Sequence, residues 1–285
     1  RINCAHDSPA DWAAMASAAR GAGEAEGRPV RLYMDLAGPK IRTADILPRA
    51  GIRVREGDTL LLRASADTAQ PETARASARC TLPKALVAVE PGAAVAFDDG
   101  KIQGRVTRRD ADGLWLSIER TKPGGARLKP DKGINFPDTV LDVPALTKAD
   151  CAALDSVAAL ADLVGLSFVQ RAADMGMLHD ELARRRAAPG VIAKVETGAA
   201  FRALPEIIVA GAGHGPFGLM IARGDLAVEI GVARLSEVQE EILWLAEAAR
   251  VPVIWATEVL ASLVKGGLPA RGEVTDAAMG ARAEC

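Results

Sequence analysis

"MIARGDLAVEIG", residues 220–231, decides how this chain is read. Met220, Ile221 and Ala222 form an apolar run of the kind that fills a strand buried on both faces. Arg223, Gly224 and Asp225 follow at once, so a cation and a carboxylate stand at the mouth of that strand. Residues two apart on a strand share a face, which predicts that Arg223 and Asp225 project together. "VIAKVETG", residues 191–198, repeats the device with Lys194 and Glu196.

Working outward, helical spacing and apolar strands alternate. "TKADCAALDSVAAL" runs into "ADLVGLSFV", "DMGMLHDELARRR" into "GVIAKVETG", "AFRALPEIIVAG" into "FGLMIARGDLAV", and "EVQEEILWLAEAAR" into "VPVIWATEVL". Near the start, "RINCAH" and "VRLYMDLAG" flank a helix that Ser8 can cap and Pro9 can open. Parallel neighbours need crossovers, so the alternation calls for a parallel α/β sheet. The candidate strands are "RIN", "VRLYMDL", "LVGLSFV", "VIAKVE", "GLMIARGD" and "VPVIWAT". Asn3, Asp35, Ser167, Glu196, Asp225 and Thr257 fall at their C-terminal ends, the face on which barrel active sites are built. The expected fold is an α/β (β/α)8 TIM barrel, incomplete in this chain, with an open doubly wound sheet as the alternative. Between residues 43 and 140 short alternating runs broken by Gly, Pro and Asp predict an inserted small β-barrel domain. The expected division is 1–42 and 141–285 for the barrel and 43–140 for the insertion.

Composition narrows the function. Hydrophobic residues make up 49% and charged residues 25% of 285 residues, which excludes a disordered chain. A net charge of -2 offers no basic field, so nucleic acid is not an expected partner. No apolar stretch is long enough for a membrane span, and Cys4, Cys80, Cys151 and Cys285 have neither disulfide nor zinc spacing. A reducing cytoplasm is the expected compartment. The chain opens on Arg1 and stops at "TDAAMGARAEC", which suggests a fragment.

If the strands carrying Glu196 and Asp225 are neighbours, the two carboxylates converge with Lys194 one layer further in. Such oxygen donors suit magnesium, which keeps waters and substrate oxygens in its shell. Metal and lysine together would stabilise an enolate or a phosphoryl group in transfer. Each pair alone could be an ordinary ion pair, and several polar strand ends on one face carry the functional reading.

The residues also resemble the pyruvate kinase family. The resemblance rests on "RINCAH", "MDLAGPKIRT", "FDDGKI", "KGINFPD", "VPALTKAD", "LSFVQ", "AKVETG", the opening stretch, "WATEVLASL" and "RGEVTDAA", in the family's order across the chain. It implies a barrel with a mobile β-domain inserted after the third strand, the present strands being the second to the seventh. It implies phosphoryl transfer between phosphoenolpyruvate and ADP, giving pyruvate and ATP, with Mg2+ or Mn2+ as cofactor and a homo-oligomer when full length. Glu196 and Asp225 would bind the metal, and Lys194, Arg1 and Thr257 would be catalytic. Gly224, Asp225, Ser167 and Thr257 would hold the pyruvate moiety, and Asn3, His6, Arg42, Asp99 and Lys132 the nucleotide. Without the resemblance His6 reads as a solvated loop residue and Lys132 as a turn lysine.

Asn3, Asp35, Leu36 and Lys40 mark the region of the family's monovalent cation. Ala5 removes a hydroxyl there and Lys40 replaces a glutamate, so a potassium requirement is doubted and Lys40 is expected to supply the missing charge. Cys4, Ala37 and Glu258 are further departures. The alternatives are a magnesium-dependent lyase or aldolase working through a pyruvate enolate, and a non-catalytic metabolite-binding relative.

Overall fold

The computed structural model describes Arg1–Cys285. It divides into a first unit of Arg1–Pro39, Pro144–Ala227 and Val232–Cys285, and a second of Lys40–Val143 with Val228–Gly231. The first unit opens with β1 (Ile2–Asn3), α1 (Pro9–Ala25) and β2 (Tyr33–Asp35). The second unit contributes β3 (Thr43–Leu47), β4 (Arg53–Val54), β5 (Thr59–Arg63), β6 (Ala76–Cys80), β7 (Ala94–Phe97), β8 (Ile102–Asp110), β9 (Gly113–Thr121), β10 (Ala126–Arg127) and β11 (Ile134–Asn135). The first unit resumes with α2 (Lys148–Leu160), β12 (Leu163–Leu166), α3 (Ala172–Arg184), β13 (Gly190–Val195), α4 (Gly198–Arg202), α5 (Leu204–Ala212) and β14 (Phe217–Ala222). It ends with α6 (Arg223–Ile230), α7 (Leu235–Ala249), β15 (Val253–Ala256), α8 (Ala261–Gly266) and α9 (Arg271–Gly280), the last residues of α6 counting with the second unit.

The first unit's sheet has six strands in the order β1-β2-β12-β13-β14-β15, and every pairing is parallel. That order follows the chain without reversal. A doubly wound sheet must reverse at a switch point, whereas right-handed crossovers in unbroken order put all helices on one face. The opposite face is therefore an interior, and it is lined by the apolar side chains of Tyr33, Ile192, Met220 and Ala222. The chain carries six consecutive strands of a (β/α)8 barrel, and the open alternative is excluded.

Local chemistry sets the helix starts. Ser8 and Asp11 form a reciprocal cap at α1, with Pro9 in its first turn, and Thr147 with Asp150 does the same at α2. Strand ends come earlier than the sequence pattern suggests. "VRLYMDL" contains only the three residues of β2, and "GLMIARGD" stops at Ala222, because Arg223 already begins α6.

The second unit has a seven-stranded sheet in the order β11-β7-β8-β9-β5-β6-β3, antiparallel except between β5 and β6, and a separate antiparallel pair of β4 and β10. Its outer strands meet at the Arg42–Gly133 bridge. The Thr43 amide donates to the Lys132 carbonyl at 2.7 Å and the Ile134 amide to the Ile41 carbonyl at 2.8 Å, so the sheet closes on itself. Inside lie Leu60, Leu62, Val95, Phe97, Leu114, Leu116 and Ile118, all buried. Gly113, at φ +142°, passes so near β5 that a β-carbon would stand 2.1 Å from the Leu62 carbonyl oxygen. No helix of either unit is long and apolar enough to cross a membrane.

Candidate active site

Lys194 comes from β13, whose six residues are all buried. Its ammonium lies 2.8 Å from Glu196 Oε1 and 3.2 Å from Asp35 Oδ1, and it donates to Ser167 Oγ at 2.8 Å. Burial alone would lower its pKa, but the carboxylates of Glu196 and Asp35 outweigh burial and raise it. The ammonium is held charged. The Ser167 hydroxyl donates to the Leu36 carbonyl at 2.6 Å, which fixes the hydroxyl oxygen as an acceptor toward Lys194.

Glu196 stands between the end of β13 and Thr197, whose side chain caps α4 by accepting from the Ala200 amide. Its Oε2 accepts from the Phe168 amide at 2.8 Å. Burial pushes its pKa up, Lys194 draws it down, and the nearby Asp225 carboxylate pushes it up again. Glu196 and Asp225 thus set two mutually repelling carboxylates beside the Lys194 ammonium. The donor set fits Mg2+: hard oxygens, few from protein, the rest of the shell left to water or phosphate. No group of three or more His, Cys, Asp or Glu side chains collects anywhere in the chain, so this is no all-protein cage.

Asp35, expected near a monovalent cation, is the hub of the first strands. Fully buried, it receives the Arg1 guanidinium on Oδ2, with Nε at 2.9 Å, and both Lys194 and the Tyr33 hydroxyl on Oδ1. Arg1 remains half exposed. Asn3 Oδ1 accepts from the Ala5 amide at 3.2 Å, and His6 is exposed, its carbonyl accepting from Trp12 Nε1 at 2.8 Å. The Cys4 thiol is pushed up to about 11 by burial and by the charges of Asp35 and Asp150, so it is no thiolate nucleophile at neutral pH.

Arg223 does not project with Asp225. Both lie in the first turn of α6, where residues two apart point in different directions. Arg223 turns outward and is buried: Nε donates to the Ala256 carbonyl at 2.8 Å, Nη2 to the Thr257 carbonyl, and Nη1 pairs with Asp276. Its guanidinium lies 4.9 Å over the Trp255 ring. Thr257 has φ 70°, a costly conformation for a β-branched residue, and its Oγ1 accepts from the Gly224 amide at 3.0 Å. Strain of this kind concentrates at functional sites.

In the second unit Lys132 pairs with Asp98 at 3.2 Å, and so does Lys101. Asp98 is the residue the sequence reading passed over in favour of its neighbour. Partial burial would raise the Asp98 pKa, yet the two lysines hold it below the usual carboxylate range. Asp99 is exposed in the same turn, and both aspartates are left-handed, at φ 51° and 56°. Arg42 Nη1 donates to the Asp131 carbonyl at 3.0 Å, beside Lys132 in sequence. The Lys40 side chain lies against Gly133, its Cε 3.2 Å from where a β-carbon would stand.

The sequence profile of the pyruvate kinase barrel domain matches residues 1–281. The chain belongs to the pyruvate kinase family. It is 35% identical over 252 residues to a pyruvate kinase of Methylorubrum extorquens, covering 88% of this chain and 49% of that protein. The pyruvate kinase of Geobacillus stearothermophilus is 31% identical over 280 residues, 98% of this chain and 46% of the relative. That of Thermotoga maritima is 31% identical over 257 residues, 90% and 52%. The chain thus spans about half the length of these relatives. Within the pyruvate kinase family frame, the first unit brings together Arg1, Asp35, Ser167, Lys194 and Glu196, with Asp225 close enough to act on Glu196. Gly224 and Thr257 form a separate bonded pair.

Proposed function

We propose that this chain supplies the phosphoryl-transfer centre of an enzyme that converts phosphoenolpyruvate and ADP to pyruvate and ATP. The observation that carries the reading is the buried Lys194 ammonium, charged and gripped by Glu196, Asp35 and Ser167, with Asp225 beside Glu196. Phosphoryl transfer asks for positioning and for charge at the equatorial oxygens of the moving group. Lys194 would give that charge, and Arg1 would turn its exposed edge to the phosphate. The amides at the start of α6 and the Thr257 hydroxyl would hold the pyruvate carboxylate, an arrangement that suits an anion. Ser167, between Lys194 and the Leu36 carbonyl, would keep the ammonium aimed.

Glu196 and Asp225 would hold Mg2+ or Mn2+, which when bound supplies neutralising charge to the substrate oxygens. Asn3, His6 and Arg42 are assigned to the nucleotide, joined by Asp99 and Lys132 from an insertion over residues 43–140 that acts as a lid. A lyase has no need of such a lid. With no hydroxyl at Ala5, and with Lys40 to supply the charge of a monovalent cation, transfer is expected to proceed without potassium. A cytoplasmic homo-oligomer is the setting this reading implies.

The test is a coupled assay for ATP formation in the full-length protein with Mg2+, with and without potassium, alongside Lys194→Met. The substitution should lower kcat by about 100-fold or more with folding preserved. An unchanged rate removes Lys194 from the mechanism, and no ATP from the unsubstituted protein removes the function.

A further inference from the structure

Tyr33 is the chain's single tyrosine, and it is buried on the inward face of the barrel with Ile192, Met220 and Ala222. It precedes Asp35 by two residues in β2, so the two side chains share that face. Its hydroxyl lies 3.3 Å from Asp35 Oδ1, the same oxygen that faces Lys194 at 3.2 Å.

The phenol can be there only because of Gly165. This glycine pairs with Asp35 across β12 and β2, and a β-carbon on it would stand 2.0 Å from the Tyr33 hydroxyl oxygen, 2.7 Å from Cζ and 2.9 Å from Asp35 Oδ1. Gly165 has no left-handed backbone angle that would call for glycine. Glycine inside a strand weakens it, and close approach of another group is the usual reason to find one. The missing side chain is a notch, and the phenol fills it.

Asp35 has cations on both oxygens, Arg1 on Oδ2 and Lys194 on Oδ1. When Lys194 turns toward a phosphoryl oxygen, Oδ1 loses a partner inside an apolar interior, which is costly for a buried carboxylate. The phenol is the other donor at that oxygen. At 3.3 Å the contact is longer than the usual O–H···O bond, so it has room to tighten as the ammonium moves away.

We propose that Tyr33 is a positioning residue of the phosphoryl-transfer site: its hydroxyl, admitted by the bare backbone of Gly165, steadies Asp35 so that Lys194 can turn to substrate while Arg1 stays in place. The inference rests on the phosphoryl-transfer reading above. It acts in the transition state rather than in substrate binding, so kcat and kcat/KM should fall together.

The experiment uses the full-length protein, steady-state kinetics with phosphoenolpyruvate and ADP, and thermal midpoints. Tyr33→Phe should lower kcat about tenfold, the low end for a hydrogen bond to a charged group, with KM for phosphoenolpyruvate within about twofold and the midpoint nearly unchanged. Gly165→Ala should lower kcat and the midpoint most when Tyr33 is present, and cost less in a Tyr33→Leu background, where the phenol contacts are gone and only the one with Asp35 Oδ1 remains. A Tyr33→Phe protein with unaltered kcat, or with its loss confined to KM, overturns the positioning role. An equal cost of Gly165→Ala in both backgrounds overturns the seating. Should Gly165→Ala fail to fold, the Tyr33→Phe kinetics decide alone. Absence of transfer in the unsubstituted protein would instead strike down the functional reading, and this role with it.

Discussion

Replacing Arg223 by methionine should destabilise the protein by about 3 kcal/mol, the low end of the cost of breaking a buried ion pair from one side, because Arg223 is buried while Asp276 is partly exposed. The figure follows from what the guanidinium holds. Its removal strips donors from the carbonyls of Ala256 and Thr257, leaves Asp276 without its cation, and ends the stacking on Trp255. The orphaned carbonyls belong to the half-buried Ala256 and the exposed Thr257, so each costs near the low end of about 1–3 kcal/mol, and a partly desolvated cation–π contact about 1–2 kcal/mol. These contributions overlap and do not add in full. Arg223→Lys keeps the charge toward Asp276 but loses the fork, and should cost less, roughly 1–3 kcal/mol. Pairing Arg223→Met with Asp276→Leu should recover part of the loss, because removing both charges leaves neither one buried and unpaired. Urea unfolding followed by tryptophan fluorescence measures all three, with Trp255 as a local reporter. Thr257 is held at φ 70° partly by Arg223, so kcat/KM should also fall at temperatures where the variant is folded. An Arg223→Met protein within 1 kcal/mol of the parent would refute the reasoning.

Other outcomes follow from single features. His179 stacks on His214 with centroids 4.2 Å apart, and burial, then the His214 charge, lowers its pKa against a smaller opposing pull from Asp180. A depressed value means the fold favours the neutral ring: that contribution is complete above the ordinary value of about 6.5 and is lost as the pH falls through the lowered one. The melting midpoint should drop on acidification below about pH 6.5, and His179→Phe should flatten that slope; an identical slope counts against it. Removing Mg2+ with EDTA should abolish transfer, and Glu196→Gln should raise the Mg2+ concentration for half-activity about tenfold or more, read by titration in the coupled assay. Unaltered Mg2+ dependence would take Glu196 out of the metal site.

The alternation of helix and strand was legible because parallel strands buried on both faces read as unbroken apolar runs. Lys194 and Glu196 were legible for a related reason: Glu196 lies one residue past the end of β13, and the two-residue spacing still brings it to Lys194, 2.8 Å away. The same rule misplaced Arg223, because the chain had already turned into α6 and the period no longer applied. The partnership of Arg1 with Asp35 depends on the register of β1 against β2, which no local pattern encodes. Asp98 and Asp99 sit in consecutive left-handed positions, where side-chain direction cannot be counted from spacing. Tyr33 was hidden in an apolar run, and only the gap above Gly165 distinguishes it from an ordinary core residue.

The seam that closes the second unit joins Ile41–Thr43 to Asp131–Ile134. The first and last strands of this unit are therefore zipped side by side, and the loop formed by residues 44–130 begins and ends at one place. Closure entropy grows only slowly with length in any case. A cassette clasped at its neck in this way can be lengthened, trimmed or exchanged over evolutionary time without asking the host to re-fold around it.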